Sequence, residues 1–142
     1  MTLYAESSAV LSWLLSEPGS EPVRESLMEA ELIVASDLTL IECDRALIRA
    51  TRLLRLAEAA AADRRALLSR VSSHWTVLRV GAEIVQRARQ PFPAEPLRTL
   101  DALHLSSALF ARAMVPGLRI LSLDERIRES SVALGFEVSP AA

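Results

Sequence analysis

The sequence predicts an α/β fold, a parallel sheet covered by helices on both faces. Short apolar segments recur along the chain, and alanine-rich or amphipathic stretches of helical character separate most of them. Apolar residues make up 51% of the 142 residues and the mean hydropathy is +0.25, enough to build a buried core. Residues 1–142 read as one domain, since neither an internal repeat nor an interdomain linker interrupts the alternation.

Leu3-Tyr4-Ala5 reads as a first buried strand ending at Glu6. Ser7 or Ser8 is suited to cap a helix whose inner face carries Val10, Leu11, Leu14 and Leu15. Ser16-Glu17-Pro18-Gly19 breaks that helix, and a second starts with Ser20 as cap and Pro22 in its first turn. Leu32-Ile33-Val34-Ala35 is a second strand. Ser36 or Asp37 then opens a long helical region with Leu40, Cys43, Leu47 and Leu54 on its apolar face, and Arg55–Val71 continues as helix. Trp75–Leu78 reads as a third strand, followed by a helix through Ala82, Val85 and Ala88. Pro91, Pro93 and Pro96 enclose a loop before an apolar helix from about Leu97 to Met114. Leu118–Ser122 is a strand, Asp124–Leu134 a helix, and Phe136-Glu137-Val138 a last strand after Gly135.

Composition excludes several functions. All sixteen basic residues are arginine. Without lysine there is no P-loop, no Schiff-base chemistry and no receiver-type phosphoryl transfer. No glycine-rich loop follows the first strand, against a dinucleotide site. Cys43 is the single cysteine, so neither an intrachain disulfide nor a cysteine zinc site is expected, and a reducing compartment is the simple reading. Glu6 falls where a signal peptide is apolar, and no run approaches a bilayer span; a cytoplasmic protein without a membrane partner is expected. Net charge is −2, but it is unevenly spread. Residues 17–44 hold eight acids and one base, whereas residues 45–70 hold seven arginines against two acids. That basic stretch suits either a polyanion or a solvated helix face.

In a parallel α/β sheet, ligands gather beyond the carboxyl ends of the strands. Glu6 ends the first strand, and Asp124 follows Ile120-Leu121-Ser122 closely. Asp101 lies in the first turns of an otherwise apolar helix, where an unpaired buried carboxylate is costly. Glu42 sits in the third helix, with Arg45, Arg49 and Arg52 at helical spacing from it. Three of the four have a plain alternative, a cap for Asp101 and Asp124 and a salt-bridged helix surface for Glu42, whereas the end of a short buried strand is a poor place for Glu6. Brought together, like charges at ~4 Å repel by about 4 kcal/mol per pair at an effective dielectric of 20. A bound cation relieves that repulsion, and hard oxygen donors favour magnesium or manganese.

Five segments carry a family resemblance: Leu3-Tyr4-Ala5-Glu6-Ser7-Ser8-Ala9-Val10, Glu17-Pro18-Gly19-Ser20-Glu21, Leu40-Ile41-Glu42-Cys43-Asp44-Arg45-Ala46-Leu47, Leu100-Asp101-Ala102-Leu103-His104-Leu105 and Leu121-Ser122-Leu123-Asp124-Glu125-Arg126. In order and spacing they resemble PIN-domain proteins over nearly the whole chain, most closely the VapC toxins of bacterial toxin–antitoxin pairs. The resemblance implies a three-layer α/β/α fold with a mostly parallel five-stranded sheet. It implies a Mg2+- or Mn2+-dependent endoribonuclease, an RNA substrate, an antitoxin partner and a homodimer. Glu6, Glu42, Asp101 and Asp124 match the metal-site acids, with Ser8 and Ser122 as supporting hydroxyls. Glu125 matches an outer acid, although a helix-start charge explains it equally. His104 is read as packing, Trp13 and Trp75 as core or dimer residues, and Arg45, Arg49 and Arg52 as holding RNA backbone. One position departs from the family: its first acid is usually Asp, and Glu6 carries one methylene more, about 1.5 Å of reach. That departure motivates the alternative of a catalytically weakened PIN fold that only binds its antitoxin.

Overall fold

In the computed structural model, which describes residues 1–141, five parallel strands alternate with seven helices. In chain order these are β1 (Thr2–Ala5), α1 (Ser7–Leu14), α2 (Glu21–Glu29), β2 (Leu32–Ser36), α3 (Asp37–Arg52), α4 (Glu58–Ser72), β3 (Thr76–Leu78), α5 (Ala82–Ala88), α6 (Thr99–Met114), β4 (Arg119–Leu121), α7 (Glu125–Ala133) and β5 (Val138–Ser139). The sheet order is β3-β2-β1-β4-β5, and every pairing is parallel. The expected three-layer α/β/α arrangement is what the chain forms.

Side-chain alternation along β1 divides the core between the two faces. Tyr4 lies opposite Val34 on β2 and Ile120 on β4, and all three enter the same cluster with Ala102, Leu105 and Ala108 of α6 and Ile127 of α7. Leu3 and Ala5 point the other way. Ala5 packs with Val10 and Leu14 of α1, Cys43 and Leu47 of α3 and Leu68 of α4. Leu3 joins Ala9, Val23 and Leu121. Trp13 and Trp75 are partly buried against the α1–α3–α4 cluster, in keeping with the core part of their expected role.

Several boundaries differ from the sequence reading. Glu6, not Ser7 or Ser8, is the N-cap of α1, because its carboxylate accepts the Ser8 amide. Ser20 and Ser36 occupy N-cap positions without a side-chain cap; the Ser36 hydroxyl turns to Tyr4 instead. Leu54 lies beyond α3 with a positive φ of 57°, and it is exposed rather than part of the apolar face. The apolar helix begins at Thr99, since Arg98 is its extended N-cap. The last strand is shifted toward the C-terminus. Phe136 is drawn into the core under the Arg112 guanidinium, and its amide bonds to Ser131, so pairing is left to Val138 and Ser139. Gly135, with φ of +88°, makes the reversal between α7 and that segment.

Leu105 on α6 is 1% exposed at the centre of the Tyr4 cluster. Leu105→Ala is expected to lower stability by about 2–5 kcal/mol. Urea denaturation should show a reduced midpoint at unchanged slope; an unchanged midpoint would contradict this packing.

Candidate active site

Sheet order reverses at β1: the chain runs outward to β2 and β3 on one side, then crosses to β4 and β5 on the other. The carboxyl ends of β1 and β4 therefore open a crevice of the kind in which parallel sheets bind ligands. A cleft of about 380 Å³ lies there, lined by Glu6, Ser7, Ser8, Leu11, Glu42, Arg98, Thr99, Leu100, Asp101 and Asp124. Four chain segments thus bring all four anticipated acids to one cavity.

The four carboxylates are held differently. Glu6 is 6% exposed. Its Oε1 accepts from the Ser8 and Ser122 hydroxyls, each at 2.5 Å, and its Oε2 accepts the Ser8 amide at 2.9 Å. This carboxylate lies over the start of α1, where amides and helix dipole favour it. Both the Ser8 and the Ser122 hydroxyls contact the first acid, and Ser122 Oγ also accepts the Asp124 amide at 3.0 Å. Asp101, 5% exposed, accepts the Arg98 amide at 3.3 Å and the Arg98 guanidinium at 3.1 and 3.3 Å. Asp124 caps α7 through the Ile127 amide at 3.1 Å, and its other oxygen faces Arg98 at 3.5 Å. The cap readings of Asp101 and Asp124 thus hold together with a place in the cleft.

Glu42 projects from α3 to meet α1 and α6. Its Oε1 accepts from the Ser7 hydroxyl at 2.8 Å and from His104 Nε2 at 2.5 Å. Burial works against the charged form of Glu42, but the His104 hydrogen bond and charge, the Ser7 hydrogen bond and the Arg98 charge together outweigh it. The carboxyl is held below its ordinary value. Burial, reinforced by the nearby Glu42, Asp44 and Glu6 charges, pushes the Cys43 thiol up to about 12, which leaves it an inert core group.

Two side chains at the cleft make contacts that the sequence reading did not anticipate. Arg98 is the one basic side chain lining the cleft, and its guanidinium bridges Asp101 and Asp124. Its spacing of three residues from Asp101 was the available signal. His104 is not simple packing: it is buried and bonds Glu42 on one side and Tyr4 on the other. The 62 residues between His104 and Glu42 hide that contact from any local pattern. Arg45, Arg49 and Arg52 stand exposed along α3, outside the lining of the cleft. Glu125 is an exposed first-turn acid of α7.

A family model described as PIN domain matches residues 3–132. The chain belongs to the PIN-domain family. Ribonuclease VapC46 from Mycobacterium tuberculosis is 35% identical over 136 residues, covering 96% of this chain and 95% of that protein. Among solved structures, this PIN domain resembles Mycobacterium tuberculosis VapC20, a sarcin-ricin loop cleaving toxin, at a TM-score of 0.68 and 15% identity, over 94% of this chain and 95% of that one. It also resembles the DNA-bound VapBC of Salmonella typhimurium at a TM-score of 0.68 and 16% identity, over 98% and 97% of the two chains.

The donors of this PIN domain suit a hard divalent cation in kind, being carboxylate oxygens around one cleft. As arranged, no three acidic, histidine or cysteine side chains among the described residues converge closely enough to hold an ion. The Arg98 guanidinium is the positive charge between Asp101 and Asp124, on a side chain that is 62% exposed.

The lowered value of Glu42 has a pH signature. Its stabilising contribution is fully present above the ordinary value of 4.5 and is lost as pH falls through the lower folded value. Urea midpoints measured downward from neutral pH should therefore fall less steeply below about 4.5 in Glu42→Gln than in the parent. Parallel curves would refute the assignment.

Proposed function

We propose that this PIN domain is the toxin of a type II toxin–antitoxin pair, an endoribonuclease that hydrolyses RNA phosphodiester bonds with Mg2+ or Mn2+. The observation that carries this reading is the convergence of Glu6, Glu42, Asp101 and Asp124 on one cleft at the reversal point of the sheet. The 35% identity to a ribonuclease over almost the entire chain supports the reaction class. Solved relatives that include VapBC assemblies and a toxin–antitoxin complex support an antitoxin as partner. No helix among the described residues is long and apolar enough to cross a membrane, compatible with action on cytoplasmic RNA. A homodimer belongs to the same reading.

Asp101 and Asp124 are the acids best placed to hold the cation, since a cationic group already lies between them. Glu42 completes the donor set, fixed in its charged form by Ser7 and His104. When bound, the cation supplies Lewis-acid polarisation of the phosphodiester. Arg98, displaced from the carboxylates, is positioned to pair with phosphate oxygens at the mouth of the cleft. Arg45, Arg49 and Arg52 offer further charge to RNA along α3. Glu6 orders the start of α1 and adds negative charge to the lining of the cleft.

One observation favours the second reading, a PIN fold that binds its antitoxin without cutting: both Glu6 oxygens are already engaged by Ser8 and Ser122. Titrating manganese against cleavage of a structured RNA separates the two. Cleavage should appear with Mg2+ or Mn2+, vanish in chelator, and fall about a hundredfold or more in Asp101→Asn, the scale for losing a group that organises transition-state charge. A folded protein that leaves RNA intact at every metal concentration would decide for the binding module.

Arg98→Ala tests the cation site without RNA. In chelator the variant should melt below the parent, because Asp101 and Asp124 lose their common counter-charge. Manganese should then raise its midpoint more than it raises the parent's. Equal shifts in both proteins would place the ion elsewhere.

A further inference from the structure

Beneath the cleft, a line of polar groups runs from Glu42 into the core. His104 Nε2 lies 2.5 Å from Glu42 Oε1, and His104 Nδ1 lies 2.9 Å from the Tyr4 hydroxyl. That hydroxyl lies 2.9 Å from the Ser36 hydroxyl. Ser36, Tyr4 and His104 are 0%, 1% and 3% exposed, so none relies on solvent for its partners. Buried polar groups persist only when their bonds are made, and this line makes them.

Chemistry fixes the direction of these bonds. A carboxylate accepts, so the nitrogen facing Glu42 Oε1 is the donor: Nε2 carries a proton and gives it to that bond. In the neutral imidazole Nδ1 is then the acceptor, and the Tyr4 hydroxyl donates to it. Having used its single proton, Tyr4 accepts from Ser36. Neighbouring hydroxyls are committed elsewhere: Thr39 donates to the Ala5 carbonyl and Ser107 to the Leu103 carbonyl. The Ser7 hydroxyl, which donates to the same Glu42 oxygen, also lies 3.2 Å from Nε2, so this assignment directs each proton of the line toward the cleft.

We propose that His104 is a positioning residue for the nuclease centre: its Nε2–H orients the Glu42 carboxylate, and the buried chain Ser36 to Tyr4 to His104 locks the imidazole in the required tautomer. This rests on the function proposed above only for its catalytic consequence; the tautomer is a property of the free protein. The line ties Glu42 on α3 to α6 through His104 and to the centre of the sheet through Tyr4 and Ser36. The acid is thereby held relative to Asp101, which sits one turn before His104 on the same helix. An outer partner of this kind typically contributes about 10- to 100-fold to metal affinity or activity.

Two measurements test the inference. Long-range proton–nitrogen correlation on 15N-histidine protein, free of metal and at neutral pH, reads the tautomer directly, with the exposed His74 as internal reference. A protonated Nε2 and a bare Nδ1 are expected at His104. Protonation at Nδ1, alone or together with Nε2, would overturn the chain. Manganese affinity by calorimetry and RNA cleavage are then compared in His104→Gln, His104→Asn and the near-isosteric Tyr4→Phe. A glutamine amide can reach the Nε2 position and an asparagine amide the Nδ1 position, so His104→Gln should keep most of the manganese affinity and His104→Asn should lose about tenfold or more. Tyr4→Phe, outside the cleft, should lower kcat with KM within about twofold. Equal manganese affinity in the parent, His104→Gln and His104→Asn would refute the positioning role even if the parent cuts no RNA. A parent that shows the expected tautomer and affinities without cleavage would instead overturn the proposed function and leave the chain standing.

Discussion

Negative charge gathered at one end of a parallel sheet has to be balanced, and the architecture near β1 is organised around that need. β1 lies between β2 and β4, and the segments leaving it and β4 meet where strand order reverses. Glu6 and Asp124 arrive from those two strand ends, while α3 and α6 contribute Glu42 and Asp101. Carboxylates in such proximity repel unless donors or cations meet each of them. Hydroxyls and an amide serve Glu6, Ser7 and His104 serve Glu42, and Arg98 serves Asp101 and Asp124.

The balance is not uniform, and the difference bears on chemistry. Glu6 is engaged by short bonds from Ser8 in α1, which is partly buried, and from the fully buried Ser122 beside β4. Asp101 and Asp124 share a guanidinium on a largely exposed side chain. Positive charge therefore sits on an exposed side chain at one end of the cleft, and hydroxyl and amide donors dominate at the other. Both strand-end acids cap the helix that follows, but Glu6 has both oxygens engaged, whereas Asp124 caps α7 with one oxygen and keeps the other toward the cleft.

The two-faced core supports this polar edge. Tyr4 belongs to the apolar cluster on the α6 side and also carries the hydroxyl that meets His104 and Ser36. Burial pushes its phenol well above the usual range, so it remains a neutral donor. One side chain therefore links packing of the sheet to orientation of an acid in the cleft, and α6 couples both through Leu105 and His104.

Much of this was legible in the residues themselves. Alternating apolar segments and helical stretches gave the layer order, and the strand-end acids Glu6 and Asp124 pointed to one edge, because in a parallel sheet all carboxyl ends lie together. Asp101 stood out because an acid in an apolar helix needs a partner. The sequence could not show which partner, since Arg98 was read as part of the helix it caps. Nor could it show His104 against Glu42, or Ser122 against Glu6, which are separated by 62 and 116 residues. Local pattern records periodicity and end signals, which act within a few residues. The pairing of distant polar groups depends on how helices pack against the sheet, and only the tertiary structure decides that.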